Sequence, residues 1–280
     1  MRHHILETEK GPVHYWVEGN GRDCLFFTHG MTLTHQIFLP QAAYFGEEFT
    51  VILWDVPAHG ESKHYKEYNQ TECTELIRVI LEHEGFKQAH IIGESMGGYI
   101  AQQFAADHPE KTLSLSLVGG HPLGTCHYWP IEQFILQNLH RIVKSVPYSL
   151  IIGVTTAFSG IQEIGRETTR ICMLNHSKRQ IQAITKAVYR DFLAFKEDVP
   201  LSSEIPVGVF YGKWDMVGRL NYITKRWAKS NGYAVYPISN AAHNVNIDNP
   251  HGFNEAFDSF LEGQEEWVHG QETYNTSPAF

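Results

Sequence analysis

A serine lies between glycines in the segment Gly93-Glu94-Ser95-Met96-Gly97. The residues before it, 88–92, are typical of a short buried strand, and apolar residues after Ser95 recur at helical spacing. A G-x-S-x-G segment between a strand and a helix predicts a tight, strained turn that lifts the serine hydroxyl out of the sheet. An ordinary N-capping serine in a glycine-rich turn is the alternative interpretation. The strand-turn-helix context favours a nucleophile at Ser95.

This chemistry needs two more groups. A serine hydroxyl is a weak nucleophile, so an imidazole must accept its proton and a carboxylate must orient that imidazole. Asp215 follows a predicted strand at 207–211, and His243 follows another at 234–238. The chain order Ser95, Asp215, His243 is one in which such triads occur. We therefore predict that Ser95, Asp215 and His243 form a catalytic triad.

Short runs of β-branched and aromatic residues alternate with helix-length segments along most of the chain. This alternation predicts an α/β fold with a mostly parallel sheet covered by helices. Strands are expected at residues 23–28, 49–54, 88–92, 113–118, 207–211 and 234–238. Two more strands, at 5–8 and 13–17, leave room only for a turn at Gly11-Pro12. These two should form an antiparallel hairpin, which makes the sheet mixed.

Helix signals divide the chain into regions. Asn69 with Glu72 three residues later resembles a capping box and predicts a helix that ends near Gly85. Between about 123 and 200 the strand pattern stops, and apolar residues recur at helical spacing around 131–142 and 181–195. We predict a core of residues 1–122 and 201–263, an inserted helical cap or lid of residues 123–200, and a C-terminal tail of residues 264–280 that could dock on the body.

Charge and cysteine content narrow the function class. Among 280 residues, 22 Lys and Arg stand against 31 Asp and Glu, a formal net charge of −9. This excess of acids argues against a broad nucleic-acid surface or binding to an anionic membrane. The four cysteines contain no C-x-x-C pair, which indicates reduced thiols and neither a disulfide framework nor a structural zinc site: Cys24, Cys73, Cys126 and Cys172.

The N-terminal residues lack the apolar stretch of a signal peptide, and the longest apolar run, around 150–158, is too short to span a bilayer. No His-x-x-x-His pattern or carboxylate cluster indicates a metal. We expect a cytoplasmic monomer or homodimer that acts on a small molecule without a metal or cofactor.

Four motifs in order give the chain a resemblance to the α/β-hydrolase fold superfamily, in its cap-bearing group of esterases, C–C hydrolases, thioesterases and perhydrolases. They are the turn at Ser95, His29-Gly30 after a strand, the segment 55–62 (DVPAHGES), and the segment from His243 through 248–250 (DNP) to Phe253. The resemblance implies a mostly parallel eight-stranded sheet with helices on both faces and an inserted helical cap. Two residues depart from the family pattern, because Ala58 and Ala242 stand where glycines are common.

The same resemblance implies where the rest of the site lies. It assigns an oxyanion hole to the backbone N–H groups of Met31 and Met96, which would stabilise a developing negative charge. It also makes pocket residues of His29, Gly30, Trp129, Phe134 and Trp214. His29 could instead hydrogen-bond to the backbone and shape the oxyanion loop, and each aromatic residue could equally belong to a core.

The resulting hypothesis is a serine hydrolase that works through an acyl-enzyme, with carboxylic esters of small or medium acyl groups as the first substrate class. A C–C bond hydrolase, a thioesterase or a lyase similar to menaquinone-pathway enzymes could use the same triad. Enzymes of that kind on carboxylated substrates need cationic groups, for which the insertion offers Arg141, Lys144, Arg166, Arg170 and Arg190. A hypothesis of another class is a non-catalytic receptor for a small ligand.

Overall fold

The computed structural model describes residues 1–217 and 219–275, and side chains for all of these except 220 and 264–275. Eight strands form one sheet in the order β1-β2-β4-β3-β5-β6-β7-β8. Their bounds are β1 Arg2–Leu6, β2 Val13–Glu18, β3 Cys24–Thr28, β4 Thr50–Trp54, β5 Ala89–Glu94, β6 Thr112–Val118, β7 Val207–Gly212 and β8 Ala234–Ile238. Strand β2 pairs antiparallel with β1 and β4, and the remaining pairs are parallel. The predicted mixed, mostly parallel eight-stranded sheet is confirmed.

The helices connect these strands. Their bounds are α1 Leu39–Phe45, α2 Gln70–His83, α3 Met96–Asp107, α4 Pro130–Ser145, α5 Tyr148–Ser159, α6 Glu163–Leu174, α7 Lys178–Phe192, α8 Leu220–Asn231, α9 Val245–Asp248 and α10 Pro250–Asn275. Short 3-10 helices cover His35–Phe38, Gly60–His64, Pro109–Lys111 and Thr125–His127. None of the helices in the described ranges is long and apolar enough to cross a membrane.

Both faces of the sheet are covered along its central strands, β3 to β7, whose residues are buried on both sides. On one face, buried residues of α2, α3 and α8 such as Ile77, Phe104 and Trp227 pack with strand residues. On the other face, a second cluster contains Phe38 and the α10 residue Phe257. Burial on two faces is typical of strands in parallel sheets and explains why they read as continuous apolar runs.

Local sequence signals explain where most of the helices and strands begin and end. The Asn69 side chain accepts a hydrogen bond from the N–H of Glu72 at 2.9 Å, which caps α2 as predicted. The first strand is an exception, because β1 lies at Arg2–Leu6 and not at 5–8. Thr8 and Gly11 are joined by hydrogen bonds of 3.2 Å (Gly11 N–H to the Thr8 carbonyl) and 2.7 Å (Thr8 hydroxyl to the Gly11 carbonyl). The turn therefore begins earlier than the sequence pattern indicates.

The segment between β6 and β7, the helical insertion, contains α4 to α7. One small apolar cluster lies within it, and a second joins it to Tyr99 of α3 and Ile223 of α8. The insertion leaves the sheet after β6 and returns before β7, and these two strands are neighbours. Backbone N–H groups of Thr125 and Cys126 donate to the carbonyls of Phe195 and Lys196 at 2.9 and 3.0 Å, which joins the two connecting segments. At the C-terminus, α10 continues through the predicted tail boundary at 264 to Asn275, and residues 276–280 of that tail lie outside the described residues.

Candidate active site

Ser95 occupies a strained turn between β5 and α3, with φ 50° and ψ −113°. Positive φ is unfavourable for a residue with a Cβ, so the surrounding packing must hold it there. Glycines make the close approach possible: a Cβ at Gly93 would lie 2.3 Å from the Gly97 carbonyl oxygen, and one at Gly97 would lie 2.2 Å from the Thr28 carbonyl oxygen. The serine hydroxyl is therefore presented at the carboxyl end of the sheet by a turn that only this glycine pattern allows.

Two further side chains join Ser95 in a hydrogen-bonded chain. His243 Nε2 lies 3.0 Å from Ser95 Oγ, and His243 Nδ1 lies 2.9 Å from Asp215 Oδ2. The other carboxylate oxygen of Asp215 accepts the N–H of Val217 at 2.9 Å. With Asp215 ionised, Nδ1 carries the ring proton and donates a hydrogen bond to Asp215. The Nε2 lone pair is then free to accept the serine proton. The structure thus brings the three sequence-predicted residues together in a productive order.

The charges of His243 and Asp215 stabilise each other. Burial alone would lower the pKa of His243, but the Asp215 carboxylate, and more weakly Glu94, raise that pKa above its ordinary value. Burial alone would raise the pKa of Asp215, but the charge and hydrogen bond of His243 lower it. Asp215 therefore stays ionised and stabilises the imidazolium that forms when His243 takes a proton.

Asp248 anchors the loop that carries His243. This carboxylate is 2% exposed. Its Oδ2 accepts the N–H groups of Ala242 at 2.8 Å and Ile161 at 2.9 Å, and its Oδ1 accepts that of Gln162 at 2.7 Å. One side chain therefore fixes both the residue before His243 and the α5–α6 turn of the insertion. The sequence motif contained Asp248, but two of its partners, Ile161 and Gln162, lie 87 and 86 residues away, which a pattern does not reveal.

The loop after β3 faces the nucleophile. The backbone at Gly30, Met31 and Met96 borders the same cavity as Ser95. Met96 is the first residue of α3, where N–H groups have no partner within the helix. A Cβ at Gly30 would lie 3.1 Å from the Ser95 Cβ, so the loop passes directly beside the nucleophile. Met31 and Met96 therefore lie at the same cavity as the nucleophile, and the role of their N–H groups as an oxyanion hole stays a prediction.

His29 braces that loop and does not line the cavity, which corrects its assignment as a pocket residue. Its Nδ1 donates to the Gly30 carbonyl at 2.8 Å, and its Nε2 accepts the N–H of Val56 at 3.0 Å. Burial lowers the pKa of His29 to about 4, so the ring is neutral and can use one nitrogen as a donor and the other as an acceptor. The alternative interpretation, a histidine that shapes the loop, agrees with this geometry.

A cavity of about 550 Å³ opens above Ser95, between the sheet edge and the helical insertion. Most of its wall is apolar, with side chains from the core and from α4, α5, α7 and α8: Leu33, Ile135, Leu136, Val154, Phe158, Val188 and Ile223. Gly30 also lines it, as predicted from the motif.

The three aromatic residues predicted to line the pocket lie outside it. Trp129, Phe134 and Trp214 are 58%, 61% and 60% exposed and do not border the cavity. In α4 the cavity-facing positions are 132, 135 and 136, which follow the i, i+3, i+4 spacing of one helix face and exclude 134. Sequence spacing identified the helix but could not tell which of its faces meets the cavity.

Charged groups in the cavity are few and are paired. Arg219 is the only Arg or Lys among the described lining residues, and it forms two hydrogen bonds with Glu132, of 2.9 and 2.8 Å. The insertion cations considered for a carboxylated substrate do not line the cavity: Arg141, Lys144, Arg166, Arg170 and Arg190. The cavity therefore offers no unpaired cation from its described side chains.

Several polar residues of this cavity were missed by sequence reasoning. Glu94, Tyr99 and His121 border it and are almost fully buried. The Tyr99 hydroxyl pairs with His121 Nε2, and burial lowers the pKa of His121 to about 3. Glu94 could have been singled out, because it is an acid inside the G-x-S-x-G segment at the end of an apolar strand.

Three neighbouring residues outside the cavity have side chains of the types that bind metal ions. Cys126, His127 and Asp198 place one ligand atom each within 4.8 Å of one another, where the two connecting segments of the insertion meet. Asp198 already pairs with His127 at 2.7 Å and accepts the Trp227 indole N–H at 3.0 Å. Hydrogen bonds thus account for this arrangement.

Known proteins share the fold and parts of the sequence of this chain. A family model for the alpha/beta hydrolase fold matches residues 23–142. The pimeloyl-[acyl-carrier protein] methyl ester esterase of Chromobacterium violaceum is 26% identical over 258 residues, which cover 88% of this chain and 96% of that protein. The 2-hydroxy-6-oxononadienedioate/2-hydroxy-6-oxononatrienedioate hydrolase of Paraburkholderia phymatum is 29% identical over 144 residues, which cover 46% of this chain and 48% of that protein.

Among solved structures, a thermophilic esterase from Thermogutta terrifontis aligns with a TM-score of 0.78 at 17% identity, covering 94% of this chain and 99% of the other. The family match and the solved structures show that the chain has the α/β-hydrolase fold, and esterases and hydrolases are among the proteins it resembles. It spans 30% to 58% of the length of the first curated relatives it matches.

Proposed function

We propose that this protein is a serine hydrolase that cleaves carboxylic esters of small or medium, uncharged acyl groups. The observation that carries the proposal is the hydrogen-bonded chain from Ser95 through His243 to Asp215 at the floor of a largely apolar cavity. A serine on a strained turn, a neutral imidazole acceptor and a buried carboxylate are together the parts that nucleophilic acyl transfer needs.

The reaction would proceed in two halves. His243 accepts the Ser95 proton as Oγ attacks the carbonyl carbon, and the N–H groups of Met31 and Met96 stabilise the oxyanion. His243 then donates the proton to the leaving alkoxide, and the acyl group stays on Ser95. Water attacks the acyl-enzyme carbonyl carbon as His243 takes a proton from it. The acyl–Oγ bond then breaks as His243 returns that proton to Ser95 Oγ, and the carboxylic acid leaves. Asp215 holds the imidazole orientation throughout.

The electrostatics of the cavity favour an ester over a carboxylated substrate of a C–C hydrolase or lyase. Burying a substrate carboxylate without a partner cation is costly, and Arg219 is already neutralised by Glu132. One relative is named as a methyl ester esterase and another as a hydrolase of a dioate. The paired Arg219 supports the first chemistry, with the helical insertion acting as the cap over the acyl site.

The test is mass-spectrometric mapping of a fluorophosphonate adduct, which reports an activated serine without the natural substrate. We expect one adduct on Ser95 in the wild type and none in Ser95→Ala or His243→Ala. Ser159→Ala is the matched control, because Ser159 lines the same cavity but bonds to Thr169 at 3.0 Å, and this variant should still be labelled on Ser95.

Turnover of p-nitrophenyl esters of increasing acyl length, compared with thioesters and vinylogous diketones, then identifies the substrate class. Folded wild-type protein that forms no adduct would contradict the proposal and would favour a ligand receptor. Faster turnover of a diketone than of any ester would overturn the ester assignment while retaining the triad.

A further inference from the structure

Glu94 is a buried acid whose place the mechanism above does not explain. It is the last residue of β5, directly before Ser95, and it is 0% exposed. Neither of its carboxyl oxygens has a hydrogen-bond partner of good geometry among the described residues, although the Gly30 backbone N–H approaches closely enough to lower the pKa of the carboxyl. A buried carboxyl with so little compensation is costly, and buried polar side chains in proteins are nearly always satisfied. A residue that keeps this cost at the active site needs a functional explanation.

Glu94 lies beside the oxyanion loop and at the same cavity as His243. Its Oε2 lies so close to the oxyanion loop that a Cβ on Gly30 would be 2.2 Å away. Glu94 and His243 border the same cavity. The ionisable groups that interact with Glu94 are His243 and Asp215, and His121 faces those two in turn.

The charge of Glu94 is in balance near neutral pH. Burial raises the pKa of this carboxyl to about 7, although His243 acts in the opposite direction. In return, Glu94 is one of the groups that raise the pKa of His243. Two ionisable groups that interact in this way release their protons as a coupled pair.

We propose that Glu94 is a positioning residue for the serine hydrolase reaction: its buried carboxyl group, set between the oxyanion loop and the nucleophile, is a second electrostatic partner of His243 and controls how readily His243 gives up its proton. The inference rests on the proposed function, and it adds to Asp215 a second acid that acts on His243. Negative charge on Glu94 stabilises the imidazolium, so the neutral, proton-accepting imidazole forms only at higher pH.

Glu94→Gln tests the direction in which Glu94 shifts the titration of His243. Replacing Glu94 with an uncharged residue of the same shape removes a group that favours the protonated imidazole. In Glu94→Gln, His243 should therefore lose its proton at lower pH, and the acid limb of the reaction should move to lower pH. The variant limb should also follow a single ionisation, because only one member of the coupled pair remains.

The first experiment measures the second-order rate of fluorophosphonate labelling at Ser95 from pH 5 to 9. At pH 6, Glu94→Gln should retain a severalfold larger fraction of its plateau rate than the wild type does. Glu84→Gln is the matched control, since it removes a largely buried carboxyl that bonds to Tyr15 at 2.7 Å and does not line the cavity. Its limb should coincide with that of the wild type.

A second measurement separates this inference from the proposed function. The His243 ring proton resonance, assigned by its loss in His243→Ala, is titrated by NMR in wild type and Glu94→Gln without any turnover. A lower midpoint in the variant supports the inference even if no labelling occurs and the hydrolase function fails. Coincident midpoints and coincident labelling limbs overturn it even if labelling is fast. If Glu94→Gln does not fold, Glu94→Met serves in both measurements.

Discussion

Replacing Asp248 with asparagine tests how the insertion and the His243 loop are held together. Asp248→Asn keeps the shape of the side chain but converts one acceptor oxygen into an NH2 donor. Three backbone N–H groups point at the carboxylate: those of Ala242, Ile161 and Gln162. At least one of them must then face another donor, whichever way the amide turns.

The amide costs less if its NH2 takes the place of Oδ1, because Oδ1 accepts one N–H and Oδ2 accepts two. The variant then loses one hydrogen bond to a charged group, about 1.5–3 kcal/mol, and leaves a buried donor unsatisfied, about 1–3 kcal/mol. The other two bonds weaken as well, because their acceptor becomes neutral. We expect the free energy of unfolding to fall by about 3–5 kcal/mol.

Urea denaturation followed by tryptophan fluorescence measures this loss, and most folded domains of 5–15 kcal/mol would survive it. Fluorophosphonate labelling of the folded variant should also slow, because Ala242 directly precedes His243. Asp258→Asn is the matched control, since Asp258 is only partly buried and accepts a hydrogen bond from the Tyr44 hydroxyl at 2.6 Å, and it should change stability by much less, about 0.5 kcal/mol. A loss below about 1 kcal/mol for Asp248→Asn would refute the anchoring role.

Three further predictions concern the site. The native pKa of Glu94 is raised from 4.5 to about 7, so the native state binds more protons than the unfolded state in that window. Ionisation of Glu94 therefore destabilises the native state as pH rises from 5 to 8, while the buried histidines with lowered pKa values act in the opposite direction. Over this range Glu94→Gln should gain stability relative to the wild type by up to about 3 kcal/mol, as measured by urea denaturation. Gly97→Ala should cost at least about 1–3 kcal/mol in denaturation experiments and abolish labelling, because its Cβ would lie 2.2 Å from the Thr28 carbonyl oxygen. Glu132→Gln should unpair Arg219 and raise kcat/KM for an ester with a terminal carboxylate, relative to a neutral ester, by about threefold to tenfold.

Each of these has an outcome that contradicts it. Equal pH slopes in wild type and Glu94→Gln would mean that the carboxyl titrates as in the unfolded chain. Gly153→Ala controls for the glycine substitution, since a Cβ there would meet nothing within 4 Å; similar losses in both variants would exclude the steric explanation. An unchanged substrate ratio in Glu132→Gln would show that Arg219 does not meet the acyl group.

Much of the framework was predictable, because its signals are local. A strand buried on both faces is a continuous apolar run, and a helix beginning at Asn69 carries its own cap. Helices α5 and α6 were not located individually. Helix α5, Tyr148–Ser159, contains no charged residue, so no polar face marked its period.

The site was predictable where function imposes a motif and unpredictable where it depends on direction. The order of Ser95, Asp215 and His243 along the chain could be read from strand ends. The choice between Phe134 and Ile135 as the cavity residue depends on a rotation of about 100° about the helix axis, which packing decides. The sequence shows an acid at position 94, but it does not show that this acid is buried without a well-formed hydrogen bond, because that burial exists only in the folded chain.

The helical insertion leaves the sheet and returns between two neighbouring strands, with its ends joined by backbone hydrogen bonds at Thr125 and Cys126. A few residues could bridge that gap, so β6 and β7 would keep their register whatever the insertion contained. Substitutions or lengthening of its helices would change the cavity walls without moving Ser95 or His243 along the sheet edge, provided that the α5–α6 turn keeps the N–H groups of Ile161 and Gln162 that hold Asp248. This geometry lets substrate preference diverge through evolution, or be redesigned by grafting, while the reacting atoms stay in place.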